Sequence, residues 1–331
     1  MRCGKIINKQ NLIYISSYPL RKMKYNNIDY QRCVLICMVV MIHIVNFSTL
    51  YPDVKNFINF FFMQAFLLIT GYLVNIRKTY KEFASYIMKI LIPYIIMVTG
   101  YAFVSTLLPV RDGVNEFTIP IILNTIFVTS IGPYWFLHTM AICGVIYYLT
   151  FNLVGKWSIM GKLCLFATFL MLVSQYTPVL NSTNAAFYFT GVCLRLSEKR
   201  LDEIIKPSLW SILPFIAIAS FPNYKNWNFL AVTILALSFL SFVPKLIQSI
   251  KNKKVLGIIG YIGRNTLPIY LFHPIFTMGG KLALPLFHFD NSGGVHTVFT
   301  IAVSIIGSIA IAAILDRCHL SYIFARERFL R

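Results

Sequence analysis

Long apolar runs separated by short basic clusters constrain the fold of this chain more than any other feature. A run of about 20 apolar residues matches the bilayer core, where only a helix or a closed barrel satisfies the backbone. Of 331 residues, 57% are hydrophobic and 12% are charged. The runs predict an all-α, polytopic integral membrane protein with about ten transmembrane helices. The predicted spans are 33–50, 57–76, 85–108, 134–153, 161–177, 184–197, 208–222, 228–244, 255–282 and 296–315.

The positions of the basic residues predict the orientation of these spans. Of 30 Lys and Arg, those that fall outside in a ten-span topology with a cytoplasmic N-terminus are Lys55, Arg111, Lys225 and Lys281. Such an excess of basic residues is typical of cytoplasmic loops, so both termini are predicted to be cytoplasmic. The run 118–131 is then a re-entrant or interfacial segment, because another span would invert every later loop. The formal charge of +19 thus indicates membrane lipids, and no nucleic acid, as partners.

Two ionisable residues bracket the first apolar run. Arg32 and His43 are eleven positions apart, so on one continuous helix they share a face, about 16 Å apart along the axis. An ionisable group within the hydrocarbon costs roughly 2.5 kcal/mol or more, so it usually faces a polar cavity. We therefore predict a functional site with Arg32 at the membrane edge and His43 inside. The alternatives are an arginine that only anchors the helix and a histidine that only bonds between helices.

The remaining sequence argues against several classes of protein. Seven cysteines lie in predicted spans or on the cytoplasmic side, so a disulfide framework is not expected. No Cys/His spacing predicts a metal site, and no glycine-rich loop predicts a nucleotide-binding fold. Residues 1–27 form a basic tail without a signal-peptide pattern, within which Met23 is an alternative start. Residues 316–331 form a second basic tail, also predicted to be cytoplasmic.

Five segments, in this order along the chain, carry a family resemblance. They are 28–43, which holds Arg32 and His43, then 60–72, 89–94 with Ile-Pro-Tyr, 135–137 with Trp-Phe-Leu, and 259–274 with Leu-Phe-His-Pro. In these segments the chain resembles membrane acyltransferase family three, polytopic enzymes that O-acetylate bacterial surface glycans such as enterobacterial common antigen and O-antigens. Thr70 stands where a serine is more usual, and 155–250 matches mainly in hydropathy. The resemblance identifies 28–315 as a transmembrane acyltransferase domain.

The resemblance implies an O-acetyltransferase of the bacterial cytoplasmic (inner) membrane. Its donor would be acetyl-CoA, a co-substrate rather than a permanently bound cofactor, and its acceptor a sugar hydroxyl of a glycan or lipid-linked saccharide. Arg32 would bind donor phosphates, because a guanidinium is always charged and binds oxygens in pairs. His43 would act as general base, because a neutral imidazole accepts a proton near neutral pH.

Three further residues are predicted near these two. Asp29, one turn before Arg32, is predicted to orient the guanidinium, with a helix cap as the alternative. Asn46, one turn beyond His43, is predicted to hold the imidazole or the sugar. The resemblance places Lys89 at the donor phosphates, although a cytoplasmic span edge also favours a lysine on topological grounds alone.

The other candidates come from later in the chain. Trp135 belongs to the interfacial aromatic belt or forms a platform for a sugar. His273, deep in a predicted span, is functional or part of a buried polar network. Arg264 lines the donor entrance or serves as an anchor. A transporter or flippase is the alternative function, and it predicts paired broken helices and related halves.

Overall fold

The fold is helical throughout the residues that the structure describes. The computed structural model describes residues 26–75, 78–108, 110, 112–221, 223, 226 and 228–331. No strand occurs among these residues, which confirms the predicted all-α class. The α-helices are α1 Asn26–Ile42, α2 Val45–Leu50, α3 Pro52–Leu73, α4 Tyr80–Leu107, α5 Ile119–Asn124, α6 Trp135–Leu153, α7 Ile159–Tyr176, α8 Ser182–Leu196, α9 Leu201–Ile204, α10 Ile212–Ala219, α11 Asn228–Gln248, α12 Lys253–Arg264, α13 Thr266–Ala283 and α14 Gly294–Arg317.

The number of spans differs from the prediction. Among the described residues, six helices are long and apolar enough to cross a membrane, or seven if one bent pair forms a single span. The predicted count of about ten is not confirmed. Region 33–50 is divided between α1 and α2, α8 has only 15 residues, and region 208–222 holds the eight-residue α10. A continuous apolar run in sequence therefore does not guarantee one continuous helix of membrane length.

The run 118–131 adds no separate span. Helix α5 continues as one π-helical turn, Thr125–Thr129, and a 3-10 turn, Gly132–Tyr134, leads into α6. Ser130, between the turns, has a φ of 58°. The stretch Ile119–Leu153 forms a single candidate span, and the re-entrant or interfacial placement of its first part stays a prediction.

Helix α1 lies in the interior and contacts α3, α11, α12 and α13. Leu35, Ile36 and Val40 on this helix are fully buried. A Cβ on Gly263 of α12 would clash with the Asp29 backbone carbonyl, so α1 and α12 meet at backbone distance. Small residues permit such close approach between helices in membranes. This packing brings both polar ends of α1 against the α12–α13 pair.

Candidate active site

The first polar feature is the break in the chain at His43. Helix α1 ends at Ile42, and the His43 backbone N–H bonds to the Val40 carbonyl at 3.1 Å. The Val39 carbonyl, which a regular helix would give to that N–H, is bonded instead by His43 Nδ1 at 2.7 Å. A side chain that competes for a backbone carbonyl in this way disrupts a helix. His43 is therefore the first residue after α1, and the predicted continuous helix through it was wrong.

The second feature is a break between α12 and α13. The predicted span 255–282 is two helices that meet at Asn265 and bend by 84°. Asn265 Nδ2 donates to the Tyr261 carbonyl at 2.9 Å, and the Asn265 backbone N–H bonds the same carbonyl at 3.1 Å, so Asn265 caps the end of α12. Pro268 lies in the first turn of α13, where its missing N–H is tolerated. The bend directs α13 along α1.

The two breaks bring His43 and His273 together. Their ring centroids are 5.1 Å apart, in an edge-to-face arrangement. His273 is fully buried, whereas His43 is half-buried. His273 Nδ1 lies 2.9 Å from the Tyr270 carbonyl. Because a carbonyl only accepts, both Nδ1 atoms carry the hydrogen, and the basic lone pair of each neutral ring is on Nε2.

Arg32 of α1 contacts the beginning of α13, before the turn that carries His273. Its Nη2 donates to Thr266 Oγ1 at 2.5 Å, at the first residue of α13. Asp29 forms an ion pair with Arg264 of α12, with Nη1 and Oδ2 3.6 Å apart, and also interacts electrostatically with Arg32. Arg32 and His43 thus both contact α13. Asp29 was predicted to orient Arg32. Its carboxylate also joins α1 to α12.

The last residues of the sequence lie beside this arginine. We call residues 318–331 the tail segment, and it includes one 3-10 turn, Leu320–Phe324. Its Arg331 interacts electrostatically with Asp29, Arg32 and Arg326. Arg326 Nη2 donates to the Lys89 backbone carbonyl at 2.8 Å, so α4 borders the same region. We call Arg32, Arg264, Arg326 and Arg331 the arginine cluster.

Charge in this cluster is only partly balanced. Burial, and then repulsion from Arg331, lower the pKa of Arg326 to about 10, so Arg326 remains charged at neutral pH. Among the described residues, Arg326 Nε is buried without a hydrogen-bond partner. Lys78 and Lys89 repel each other, and burial together with that repulsion lowers the pKa of Lys78. The region therefore favours an anion.

Two predicted residues do not join either group. Asn46 follows the break on α2, and its amide lies against Gly293, where an added Cβ would be 2.9 Å from Nδ2. Asn46 was predicted to hold the imidazole or the sugar; His43 Nδ1 bonds the Val39 carbonyl, and a role of Asn46 towards the sugar stays a prediction. Trp135 begins α6 and packs against Phe136, with ring centroids 6.4 Å apart.

The segment around Trp135 nevertheless borders the histidine pair. Tyr134 donates from its hydroxyl to the Leu271 carbonyl at 3.0 Å, and the Tyr270 hydroxyl donates to the Pro133 carbonyl. The Tyr270 ring lies 6.1 Å from that of His273. This crossed pair of tyrosine hydrogen bonds fixes α13 against the start of α6 and forms an aromatic wall beside His273.

Sequence reasoning missed Thr266, Arg326 and Arg331. Thr266 lies within the resembling segment 259–274, but no spacing rule connects it to Arg32 across 234 residues of chain. The two tail arginines read as ordinary basic residues of a cytoplasmic end. Among the described residues no group of His, Cys, Asp or Glu is arranged to hold a metal ion.

The fold is that of a multi-pass membrane protein with a buried histidine pair and an arginine cluster. A family model described as an acyltransferase domain matches residues 25–315. The chain therefore belongs to membrane acyltransferase family three, and it is an acyltransferase, which confirms the resemblance. Comparison with curated proteins and with solved structures gave no match.

Proposed function

We propose that this acyltransferase moves an acetyl group from acetyl-CoA to a sugar hydroxyl of a bacterial surface glycan or its lipid-linked precursor, with His43 as general base. The observation that supports this most is the anchored histidine pair. Each Nδ1 bonds a carbonyl three or four residues earlier in the chain, so each ring is fixed in orientation with its basic nitrogen on the other side. A general base needs this fixed tautomer and orientation.

Exposure distinguishes the roles of the two histidines. His43 is half-buried at a helix break, whereas His273 has no exposed surface. A base must reach the hydroxyl whose proton it takes, which favours His43. His273 Nε2 has no hydrogen-bond partner among the described residues. We assign His273 a supporting role, in which its ring packs edge-to-face against that of His43 and holds the base in position.

The proposed reaction is a single acyl transfer. His43 Nε2 takes the proton of the sugar hydroxyl while the hydroxyl oxygen bonds to the thioester carbonyl carbon. The carbon–sulfur bond then breaks, the electron pair leaves with sulfur, and the imidazolium returns the proton to the thiolate. The products are the acetylated sugar and free coenzyme A, and the enzyme is regenerated.

The arrangement of charge matches the shape of the donor. Coenzyme A carries its phosphates at one end and its thioester at the other end of a long arm. Arg32 lies in the second turn of α1 and His43 directly follows its last residue, so the helical stretch from Arg32 to Ile42 separates them by about 15 Å along the axis, and both contact α13. Arg32, Arg264 and Lys89 would hold the phosphates while the thioester reaches the histidine pair.

The same proposal predicts which side of the membrane the donor site faces. Because the donor is cytoplasmic, the arginine cluster would face the cytoplasm, with both termini on that side of the inner membrane. Two broken helices also occur in transporters, but the family match favours acyl transfer over transport. The breaks would here expose polar groups to one wet passage within the bilayer.

The proposal is tested by acetyl transfer from labelled acetyl-CoA in membranes that contain the full chain. Removal of a general base typically lowers the rate by about 10²-fold to 10⁴-fold, which we expect for His43→Ala. His288→Ala is the matched control, because His288 Nδ1 also bonds a carbonyl, that of Pro285 at 3.0 Å, but its side chain is exposed. Undiminished transfer by inserted His43→Ala would reject the assignment.

A further inference from the structure

The tail segment is held in place by side chains of the membrane domain. Asp316 of α14 accepts hydrogen bonds from Ser321 Oγ at 2.5 Å and from the backbone N–H groups of Phe329 and Leu330 at 2.7 and 3.0 Å. Acidic side chains that accept several backbone hydrogen bonds order a segment strongly. The segment is therefore fixed at both its beginning and its end.

Aromatic packing fixes the same segment from the other side. Phe324 and Phe329 are buried, and their rings lie 6.1 and 5.9 Å from that of Phe272 on α13. Phe272 precedes His273, so the tail segment packs against the helix that carries half of the histidine pair. Burial of these two phenylalanine side chains therefore stabilises the tail segment in this position.

Arg331 is held by hydrogen bonds of its backbone rather than of its side chain. The Arg331 N–H donates to Asn265 Oδ1 at 2.8 Å, and Asn265 Nδ2 donates to the Arg331 carbonyl at 3.3 Å. Asn265 is the residue at which α12 and α13 bend. The backbone of Arg331 thus binds the hinge of the site, while its exposed guanidinium remains beside Arg32 and Asp29.

Among the described residues, the guanidiniums collected here outnumber the side-chain carboxylates that pair with them. The arginine cluster holds four guanidiniums, and Asp29 is the carboxylate that pairs with one of them. The nearby Asp316 is occupied by the tail segment itself. Partly buried positive charge of this density is unfavourable unless an anion neutralises it. Guanidiniums bind phosphate oxygens in pairs, so a ligand with several phosphates fits best.

We propose that the tail segment is part of the donor site: Arg326 and Arg331 join Arg32 and Arg264 to bind the phosphates of the nucleotide end of the acyl donor. This inference rests on the proposed function, and it adds two binding residues from outside the region 25–315 matched by the family model. An anionic lipid headgroup offers the same phosphate chemistry, and the experiment separates the two sources.

The test compares two thioesters in the full chain. Acetyl-CoA carries phosphates, whereas acetyl-pantetheine carries the same thioester without them. Loss of a charged hydrogen-bond pair typically weakens binding by about 10-fold or more. Arg331→Ala should therefore raise KM for acetyl-CoA about 10-fold, with KM for acetyl-pantetheine and both kcat values unchanged. Arg326→Ala should act in the same direction.

The matched control is Arg328→Ala, an exposed arginine of the same segment whose charge acts on Asp316. It should leave KM for both donors unchanged. An equal change for both donors in Arg331→Ala would show a purely structural role and overturn the proposal. Unchanged KM values in Arg331→Ala and Arg326→Ala would also overturn it.

A binding measurement separates this inference from the proposed reaction. Coenzyme A should raise the thermal unfolding temperature of the wild-type protein in neutral detergent, and Arg331→Ala should lose that shift. If no acetyl transfer is found but this shift persists, the proposed function fails and the phosphate site stands. A shift that depends on Arg331 with phosphatidylglycerol, but is absent with coenzyme A, would assign the site to lipid and overturn the proposal.

Discussion

Helix α13 contacts both α1 and α14, and buried histidines lie at both contacts. The histidines at the two contacts form different hydrogen bonds. At the α1–α13 contact, His273 and His43 each bond a carbonyl three or four residues earlier in the chain, and their rings face each other. At the α13–α14 contact, His296 Nε2 donates across the interface to the Gly280 carbonyl at 3.0 Å. The bond of His296 therefore ties two helices together, whereas the described Nδ1 bonds of His43 and His273 are local.

The difference separates packing from function. Gly280 lies in the last turn of α13, where carbonyls lack a partner within the helix, so His296 satisfies one of them. The presence of His296 is thus explained by helix packing. The bonds described for the histidine pair instead run to carbonyls three or four residues away along the chain, so they orient the two rings rather than join two helices. Ionisable groups in the membrane that do not serve packing indicate a functional site.

The largest effect is expected from a comparison of two glycine-to-alanine variants, one at the α1–α12 contact and one at the α13–α14 contact. An alanine at Gly263 would collide with the Asp29 backbone carbonyl, whereas at Gly280 it would meet the Thr300 side chain at 2.9 Å. A displacement of about 1 Å in a site can lower activity about 10²-fold. We expect this loss of acetyl transfer for Gly263→Ala and little loss for Gly280→Ala. Transfer rates normalised to inserted protein give the comparison, and equal losses would refute it.

The sequence indicated candidate residues for the site, but not the geometry that brings them together. Arg32, His43 and His273 were identified because an ionisable residue within or beside a long apolar run is visible in the sequence itself. The breaks at His43 and Asn265 were not predicted. The first arises from a side chain that takes a backbone carbonyl, and the second from packing on α1 and the tail segment, neither of which leaves a local sequence signal.

The predicted span count is not confirmed, for a related reason. Hydropathy measures how apolar a run is, and regions 33–50 and 208–222 are apolar, but it does not report where a helix ends. Partners distant in the chain, such as Thr266 for Arg32, were likewise beyond any spacing rule. The fold class and the family resemblance, in contrast, depend on average composition and on ordered motifs, and both are confirmed.

The second prediction concerns the supporting histidine. His273→Gln removes the ring that packs edge-to-face against His43, and a displacement of about 1 Å of a catalytic group can lower the rate by up to about 10²-fold. We expect kcat to fall by this factor with KM for acetyl-CoA unchanged. Steady-state kinetics on purified protein measure both parameters. A rise in donor KM without a change in kcat would place His273 in donor binding instead.

The third prediction concerns the other end of α13. Thr266→Val removes the hydroxyl that Arg32 bonds, while Thr277→Val on the same helix removes one that bonds the Pro274 carbonyl. Loss of a hydrogen bond to a charged group should raise KM for acetyl-CoA about 10-fold in the first variant, with kcat retained. The second variant should match wild type. A fall in kcat for Thr266→Val would show that Arg32 acts on the reacting atoms.

The smallest effect is expected at the α13–α14 contact. His296→Ala leaves the Gly280 carbonyl without its cross-helix donor, and such bonds in membranes contribute about 0.6 kcal/mol on average. Thermal unfolding in detergent should therefore shift down slightly, while kcat and donor KM at a temperature below unfolding stay at wild-type values. Because His296 is as deeply buried as His273, with 2% and 0% of its surface exposed, burial alone would predict similar losses for both. A loss of activity in His296→Ala comparable to that of His273→Gln would mean that bonding direction does not distinguish a packing histidine from a functional one.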